Sequence, residues 1–348
     1  MKRKTIALLL ALTMCLSLLS ACGADSKPDG EPSTATATPS PTEQPVDEKE
    51  EQPTQEPEQG EQEEPAQEPE QEQPEESEES EPAAPAEMTY TFDADTGTLT
   101  CSGGGEVEQG AWIEVVKNTL FETDDYACIQ EIKKVVIENG VTAIGDLAFY
   151  RYENLAEVTI PDSVVSIGSS AFAESGLSSV QLPDSITTIS KWAFSECESL
   201  QSATLPSHLT EIPYGLFSKC INLTSIQIPD GVTSIGEYAF ADTGLTEITL
   251  PDSVTTLGHS PFVRTPIKEL TIPASVTSWE NGPCRTEGMV SDVTFLCEAT
   301  MDNVKSLVDG LLYEPVTIHA PAGSVIEGYI NRQIQSDQNI KCTFAPIN

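Results

Sequence analysis

The segment Leu155–Phe172 reads LAEVTIPDSVVSIGSSAF, and it decides the fold because close copies of it recur along the chain. Each copy begins with an apolar residue, and successive copies start 22 or 23 residues apart. The starting residues are Ile132, Leu155, Leu177, Leu200, Leu223, Leu245 and Ile267. A short, regular period is typical of a solenoid, in which each repeat forms one coil that stacks on the previous one.

Each copy combines a strand pattern with turn signals. Apolar residues occupy offsets 0, 3 and 5, as in Leu245, Ile248 and Leu250. Offsets 3 and 5 share one face of a strand because side chains alternate, so the residue between them points outward. In most copies a Pro-Asp pair follows and ends the strand, since proline lacks an N–H and fixes its φ. A second apolar pair and a glycine such as Gly236 then predict a further bend.

A phenylalanine recurs at offset 17 in six copies, and a stacked column of rings in the interior of the coils explains it better than a hydrophobic ligand groove. The predicted core ladder is Phe149, Phe172, Phe194, Phe217, Phe240 and Phe262. Strands stacked side by side in this way form a parallel sheet with a spacing of about 4.8 Å.

The repeated phrase resembles the leucine-rich repeat superfamily, specifically its BspA-like bacterial surface class. The resemblance covers roughly half of the chain, with local departures at Ser190, Pro213 and Trp279. It implies an α/β leucine-rich repeat solenoid of stacked 22–23-residue coils with a parallel β-sheet, capped at both ends. It also implies adhesion to host or matrix proteins or to other cells. The predicted repeats span residues 132–282.

The first 21 residues are expected to be a lipoprotein signal peptide. A basic start is followed by an apolar run, Ile6–Leu19, that is too short for a comfortable membrane span. Leu19–Cys22 resembles a lipobox, which implies cleavage before Cys22 and lipidation of its sulfur, with residues 22–27 as the lipidated N-terminus. The alternative is an ordinary signal peptide that is cut after Ala21 and carries no lipid.

Residues 28–87 are predicted to be a disordered acidic spacer rich in Pro, Glu and Gln. They hold 21 acids against Lys49 alone, with Val46 as the single large apolar side chain. Such a segment cannot bury enough surface to fold, and its charges repel one another. The interpretations left open are a stalk that lifts the folded part off the membrane and a plain solubilising segment.

Caps are expected on both sides of the repeats. In the N-terminal cap, residues 88–131, two alternating runs around Asp93–Gly97 predict a hairpin, and a short helix is expected over residues 112–121. The Asp-x-Asp-x-Gly pattern also suggests calcium, but no glutamate completes an EF-hand loop. In residues 283–348, apolar spacing predicts two more strands, a helix over residues 301–312 between them, and a final helix near Val325–Ile334.

The motifs of catalytic and metal sites are missing from the sequence, so no cofactor, metal site or enzymatic activity is predicted. No Cys-x-x-Cys, Gly-x-Ser-x-Gly, His-Glu-x-x-His or phosphate loop occurs. The three histidines are His208, His259 and His319. Cys197 and Cys220 occupy the same offset in consecutive coils, which favours two buried thiols in a column of small residues over a disulfide.

The outward strand positions form a polar ladder that suits either a protein partner or a plain solvated face. With 56 acids against 17 bases, the chain is unsuited to nucleic acid, whose phosphates require Lys and Arg. The predicted protein is a monomeric, lipid-anchored cell-surface protein that binds a host or bacterial protein without catalysis. The alternative is a structural envelope protein that binds wall glycans or partner lipoproteins. The candidate binding face is Thr159, Gln181, Thr204, Gln227, Thr249 and Thr271.

Overall fold

The computed structural model describes residues 86–120, 124–280, 282 and 290–347. The predicted signal peptide, the lipidated N-terminus at Cys22 and the spacer up to residue 85 lie outside these residues. So does Cys284.

Short strands make up most of the described regular structure. In chain order the strands are β1 (Thr89–Asp93), β2 (Thr98–Ser102), β3 (Gly105–Val107), β4 (Lys134–Ile137), β5 (Val141–Ile144), β6 (Glu157–Thr159), β7 (Ser166–Ile167), β8 (Ser179–Gln181), β9 (Thr188–Ile189), β10 (Ser202–Thr204), β11 (Glu211–Ile212), β12 (Ser225–Ile226), β13 (Ser234–Ile235), β14 (Thr256–Leu257), β15 (Glu269–Ile272), β16 (Ser278–Trp279), β17 (Asp292–Phe295), β18 (Thr317–Pro321) and β19 (Thr343–Ile347). The helices are α1 (Ile113–Leu120), α2 (Asp125–Gln130), α3 (Val304–Val308) and α4 (Val325–Ser336).

The strands at offsets 2 to 5 of successive coils stack into one side of the solenoid, here called sheet A. It forms three hydrogen-bonded segments, with the strand orders β1-β2-β4-β6, β8-β10-β12 and β15-β17-β18-β19. Equivalent residues lie side by side, as Leu270 does with Val293 and Val293 with Ile318. The pairing is parallel except in the hairpin β1–β2. The predicted solenoid of stacked coils with a parallel sheet is therefore confirmed.

A second parallel ladder, here called sheet B, forms after the Pro-Asp turn of each coil. Its segments are β3-β5-β7-β9 and β11-β13-β14-β16. Ile144, Ile167 and Ile189 are neighbours in this ladder and are buried. The sequence pattern indicated only an apolar pair at these positions, because two residues are too few to show strand alternation.

The third side of each coil is a turn in which two residues, four positions apart, have a positive φ. The first set is Leu147, Ser170, Trp192, Gly215, Tyr238, Ser260 and Gly282, and the second set is Arg151, Glu174, Glu196, Lys219, Asp242 and Arg264. Few L-residues adopt this backbone, which persists when surrounding contacts fix it. Here hydrogen bonds between coils do so. The N–H of Phe149 donates to the carbonyl of Ala171 at 2.7 Å, and that of Phe172 donates to Ala193 at 2.8 Å.

The phenylalanines of the core ladder form one continuous stack inside the coils. All six are 0% exposed, and neighbouring ring centroids are 5.2–6.0 Å apart, with interplanar angles of 2–18°. Trp112 extends the stack at its N-terminal end, 4.9 Å from Phe149, and its Nε1 donates to the hydroxyl of Tyr152 at 2.9 Å. The N-terminal cap thus continues the core of the repeats.

Both caps contain the predicted elements with some changes. The hairpin turn closes on Asp93, whose carboxylate accepts from the N–H of Asp95 at 3.0 Å and from the hydroxyl of Thr96 at 2.8 Å. Helix α2 and strands β3 and β19 were not predicted. The helix expected over residues 301–312 is shorter, because α3 changes into a 3-10 turn, Asp309–Leu311, at Gly310, a poor helix former.

Candidate binding surfaces

The outward positions of sheet A form an exposed polar surface, here called the Thr/Gln face. Its members lie at offset 4 of their coils and are all exposed: Thr159, Gln181, Thr204, Gln227, Thr249 and Thr271. Where strands pair, these residues lie in register, as Gln181 does with Thr204. Serines from the same strands, such as Ser179 and Ser202, add hydroxyls beside them. The surface offers hydrogen-bond donors and acceptors without charge along its centre.

Charged groups lie at the two ends of the Thr/Gln face. At one end, Lys134 Nζ lies 2.6 Å from a carboxylate oxygen of Glu157. At the other end, the ring of His319 lies 3.2 Å from Asp292. The hydrogen bond from His319 lowers the pKa of Asp292 below its ordinary value. Both pairs are partly exposed, so each contributes little to stability.

A row of aromatic rings, here called the aromatic row, follows the turn side of four consecutive coils. Its members are Trp192, Tyr214, Tyr238 and His259, all partly exposed. Their centroids are 5.0, 6.0 and 5.5 Å apart in that order, and successive rings meet edge to face at 82–88°. The sequence analysis did not identify this surface.

The aromatic row is hidden in the sequence because its members alternate between two offsets. Trp192 and Tyr238 lie at offset 15, whereas Tyr214 and His259 lie at offset 14. Gly215 occupies offset 15 of its coil with φ +59°, and a side chain there would overlap the indole of Trp192. An aromatic at either of two adjacent offsets in four consecutive coils is the signal that could have found the row.

A column of ion pairs lies next to the aromatic row, at the second positive-φ position of each coil. Arg151 pairs with Glu174 at 3.2 Å, Lys219 with Glu196 at 2.7 Å and Arg264 with Asp242 at 2.5 Å. Each pair joins neighbouring coils. These side chains are partly exposed, so the pairs support the register of the coils more than they add stability.

Cys197 and Cys220 lie in a buried column of hydrogen-bond donors. The thiol of Cys197 lies 3.1 Å from the carbonyl of Phe172, and that of Cys220 lies 3.0 Å from the carbonyl of Phe194. The hydroxyl of Thr265 makes the equivalent contact further along, so one role explains both residue types. Both cysteines are free, and burial raises the pKa of Cys220 well above its ordinary value, which keeps it a thiol.

The repeats match a known family. The BspA type leucine rich repeat region matches residues 121–243 and 210–295, with six copies, and these ranges together cover half of the chain. The chain belongs to this family. Leucine-rich repeat domains generally mediate protein–protein interaction.

Several solved leucine-rich repeat proteins are similar in structure to this BspA-type chain. One from Bacteroides ovatus is 22% identical, with a TM-score of 0.44 over 69% of this chain and 70% of that protein. A leucine rich cell surface protein from Faecalibacterium prausnitzii is 28% identical, with a TM-score of 0.35, over 61% of this chain and 53% of that protein. The T. pallidum protein TpLRR is 22% identical, with a TM-score of 0.39, over 75% of this chain and 97% of that protein. The search of curated proteins finds no match.

The histidines of this BspA-type chain do not assemble a recognisable catalytic site within the described residues. His259 Nε2 lies 3.4 Å from the hydroxyl of Ser260, but Ser260 is 1% exposed and cannot meet a substrate. Among the same residues, no group of three or more His, Cys, Asp or Glu side chains is arranged to hold a metal ion. None of the described helices has the length and apolar character needed to cross a membrane.

Proposed function

We propose that this chain is a lipid-anchored cell-surface protein that binds another protein through the Thr/Gln face and has no catalytic role. The observation that carries the proposal is the regular exposure of uncharged polar side chains on sheet A. These positions point outward, so packing in the core does not determine which residue occupies them. Solenoids commonly use such an extended sheet surface for binding. Because its centre carries no charge, the face suits a partner that offers peptide-like donors and acceptors.

The anchor is proposed from the sequence. Lys2, Arg3 and Lys4, the apolar run and the Leu19–Cys22 motif together support export followed by lipidation of Cys22. An acyl chain holds a protein on a bilayer without a spanning helix. Growth with labelled palmitate is expected to label the wild-type protein and leave Cys22→Ala unlabelled. Equal labelling of both proteins would contradict the anchor.

Binding through the Thr/Gln face is tested by placing one charge in its centre. The full chain is incubated with a panel of extracellular-matrix proteins, and retention is measured by surface plasmon resonance. Thr204→Lys is expected to weaken saturable binding about tenfold, since a buried, unpaired charge is costly at an interface. Thr188→Lys, an exposed threonine in sheet B, is the matched control and should bind normally.

Two outcomes would refute this assignment. Equal binding by Thr204→Lys and wild type would place the contact elsewhere on the molecule. Retention by purified cell-wall material with no retention by matrix proteins would favour a structural envelope protein that binds wall glycans or partner lipoproteins.

A further inference from the structure

The turn side of the coils forms a second surface, distinct from the Thr/Gln face. We propose that the aromatic row and the pocket at its end bind an extended, Lys- or Arg-rich segment of a protein partner. The cationic side chains would lie on the rings and beside Glu237 and Glu280. This site goes beyond the proposed role of the Thr/Gln face, and each can fail without the other.

The rings of the aromatic row are partly exposed and follow one another at centroid distances of 5.0–6.0 Å along the solenoid. Ammonium and guanidinium groups are attracted to such faces when they lie within about 6 Å of the ring centroid. The molecule already contains one contact of this kind, since Lys191 Nζ lies 5.1 Å from the ring of Trp192. This contact shows that an ammonium group can lie over a ring of this row.

Carboxylates join the aromatic surface at its C-terminal end. Glu237, His259, Trp279 and Glu280 line a surface pocket of about 470 Å³. This volume is more than the end of one long side chain occupies, so it leaves room for a Lys or Arg side chain together with part of its backbone. Two carboxylates beside an indole provide both charge neutralisation and a π face, which is the combination that recognises a cation.

The charge of the whole chain favours the same partner. With 56 acids against 17 bases, its formal net charge is −39. A field of one sign speeds the approach of an oppositely charged segment, and salt weakens this attraction. A glycan is the less suitable occupant, because successive rings meet at 82–88° and so do not form a flat platform for stacked sugars.

The test measures binding of a fluorescein-labelled octalysine peptide to the full chain by fluorescence anisotropy at two salt concentrations. The double variant Glu237→Gln with Glu280→Gln is expected to bind at least about tenfold more weakly, and Tyr214→Leu about threefold to tenfold more weakly. Matched controls carry the same changes outside the site: the double variant Glu247→Gln with Glu269→Gln on sheet A, and Tyr313→Leu near the C-terminus. Both controls should bind within about twofold of wild type.

Several results would overturn the proposal. Equal weakening by the double variant on sheet A would show that peptide affinity depends on net charge alone, and no measurable binding of the peptide would show that the proposed site does not exist. Displacement of the peptide by a neutral chitohexaose would assign the row to sugars. If Tyr214→Leu loses its folded circular dichroism spectrum, the exposed Glu→Gln pair still decides the question. Thr204→Lys should leave the affinity for the peptide unchanged. The proposed role of the Thr/Gln face and the proposed cation site can therefore be refuted independently.

Discussion

The coils are joined by a column of serine hydroxyls that is interrupted at His208 and Gly231, and the gap at Gly231 is suitable for repair. At offset 8, the hydroxyl of a serine donates to the carbonyl at offset 9 of the preceding coil. The contacts are Ser163 to Val141 at 2.7 Å, Ser185 to Val164 at 2.7 Å, Ser253 to Val232 at 2.6 Å and Ser275 to Val254 at 2.7 Å. Gly231 occupies the same offset in its coil, and the equivalent acceptor is the carbonyl of Leu209.

The structure indicates that Gly231→Ser restores this bond. A Cβ built on Gly231 lies 3.5 Å from the carbonyl oxygen of Leu209, an ordinary contact, and Gly231 has no positive φ to strain a side chain. A net hydrogen bond contributes about 0.5–1.5 kcal/mol, and loss of glycine's freedom in the unfolded chain adds about 0.4–1 kcal/mol. Together they predict about 1–2 kcal/mol of added stability, which raises the melting temperature by roughly 2–6 °C.

Thermal and urea unfolding of the full chain, followed by circular dichroism, measure the effect. Gly231→Ala isolates the backbone contribution and should give about half of the gain, since it makes no hydrogen bond. Ser253→Ala removes an existing member of the column and should cost about 0.5–1.5 kcal/mol. If Gly231→Ser is no more stable than Gly231→Ala, the serine column does not stabilise the stack, and the reasoning is wrong.

Three further predictions follow from the core, the turn and the N-terminal cap. Phe194→Ala should cost about 3–5 kcal/mol because it opens a cavity in the ring stack, whereas exposed Ile221→Ala should change stability by less than about 0.5 kcal/mol. Gly215→Ala should cost about 1–3 kcal/mol, since its Cβ strains a positive φ and displaces the indole of Trp192. Burial raises the pKa of the Tyr90 hydroxyl to about 12. The contribution of the neutral side chain to the free energy of unfolding is therefore complete below pH 10 and is lost as the pH rises toward 12.

Each of these predictions has a discriminating measurement. Urea unfolding compares the two alanine variants of the core, and equal midpoints would contradict a buried stack. Gly323→Ala, which has φ +78° and open space around it, measures the backbone strain alone, so the Gly215 variant should be the less stable of the two. For the alkaline prediction, fluorescence of buried Trp112 is followed from pH 9 to 12, and the loss of signal should move to higher pH in Tyr90→Phe.

The repeat pattern predicted most of the fold because each interior position is set by one residue type at one offset. The isoleucines, leucines and phenylalanines of the core recur in register, so residues at the same offset of successive repeats stack on one another in the structure. Sheet B was missed because its strands are two or three residues long in most coils, too short for alternation to show. Strand β19 was missed because Thr343–Ile347 contains Pro346, which argues against a strand in the middle of a sheet but fits this edge.

The candidate surfaces were predicted unequally, for a reason that lies in backbone geometry. Strand alternation alone places Thr204 and its equivalents on the outside of sheet A. The aromatic row depends instead on turns with a positive φ, where side chains at two adjacent offsets, such as Tyr214 and Tyr238, come together. No periodicity rule for helices or strands describes these turns. Such a surface can therefore be recognised only from the coordinates of the turn.

The spacing of the coils makes a further prediction about the peptide that fits the aromatic row. Trp192 and Tyr238 occupy equivalent positions two coils apart, a separation of about 9.6 Å for strands spaced 4.8 Å apart. A polyproline II segment rises about 3.1 Å per residue, so every third side chain recurs after about 9.3 Å on the same side. Peptides that repeat Lys-Pro-Pro should therefore bind several-fold more tightly than Lys-Pro repeats with equal numbers of lysines. Equal affinities would show that the spacing of the lysines does not need to match the spacing of the rings, and that charge alone attracts the peptide.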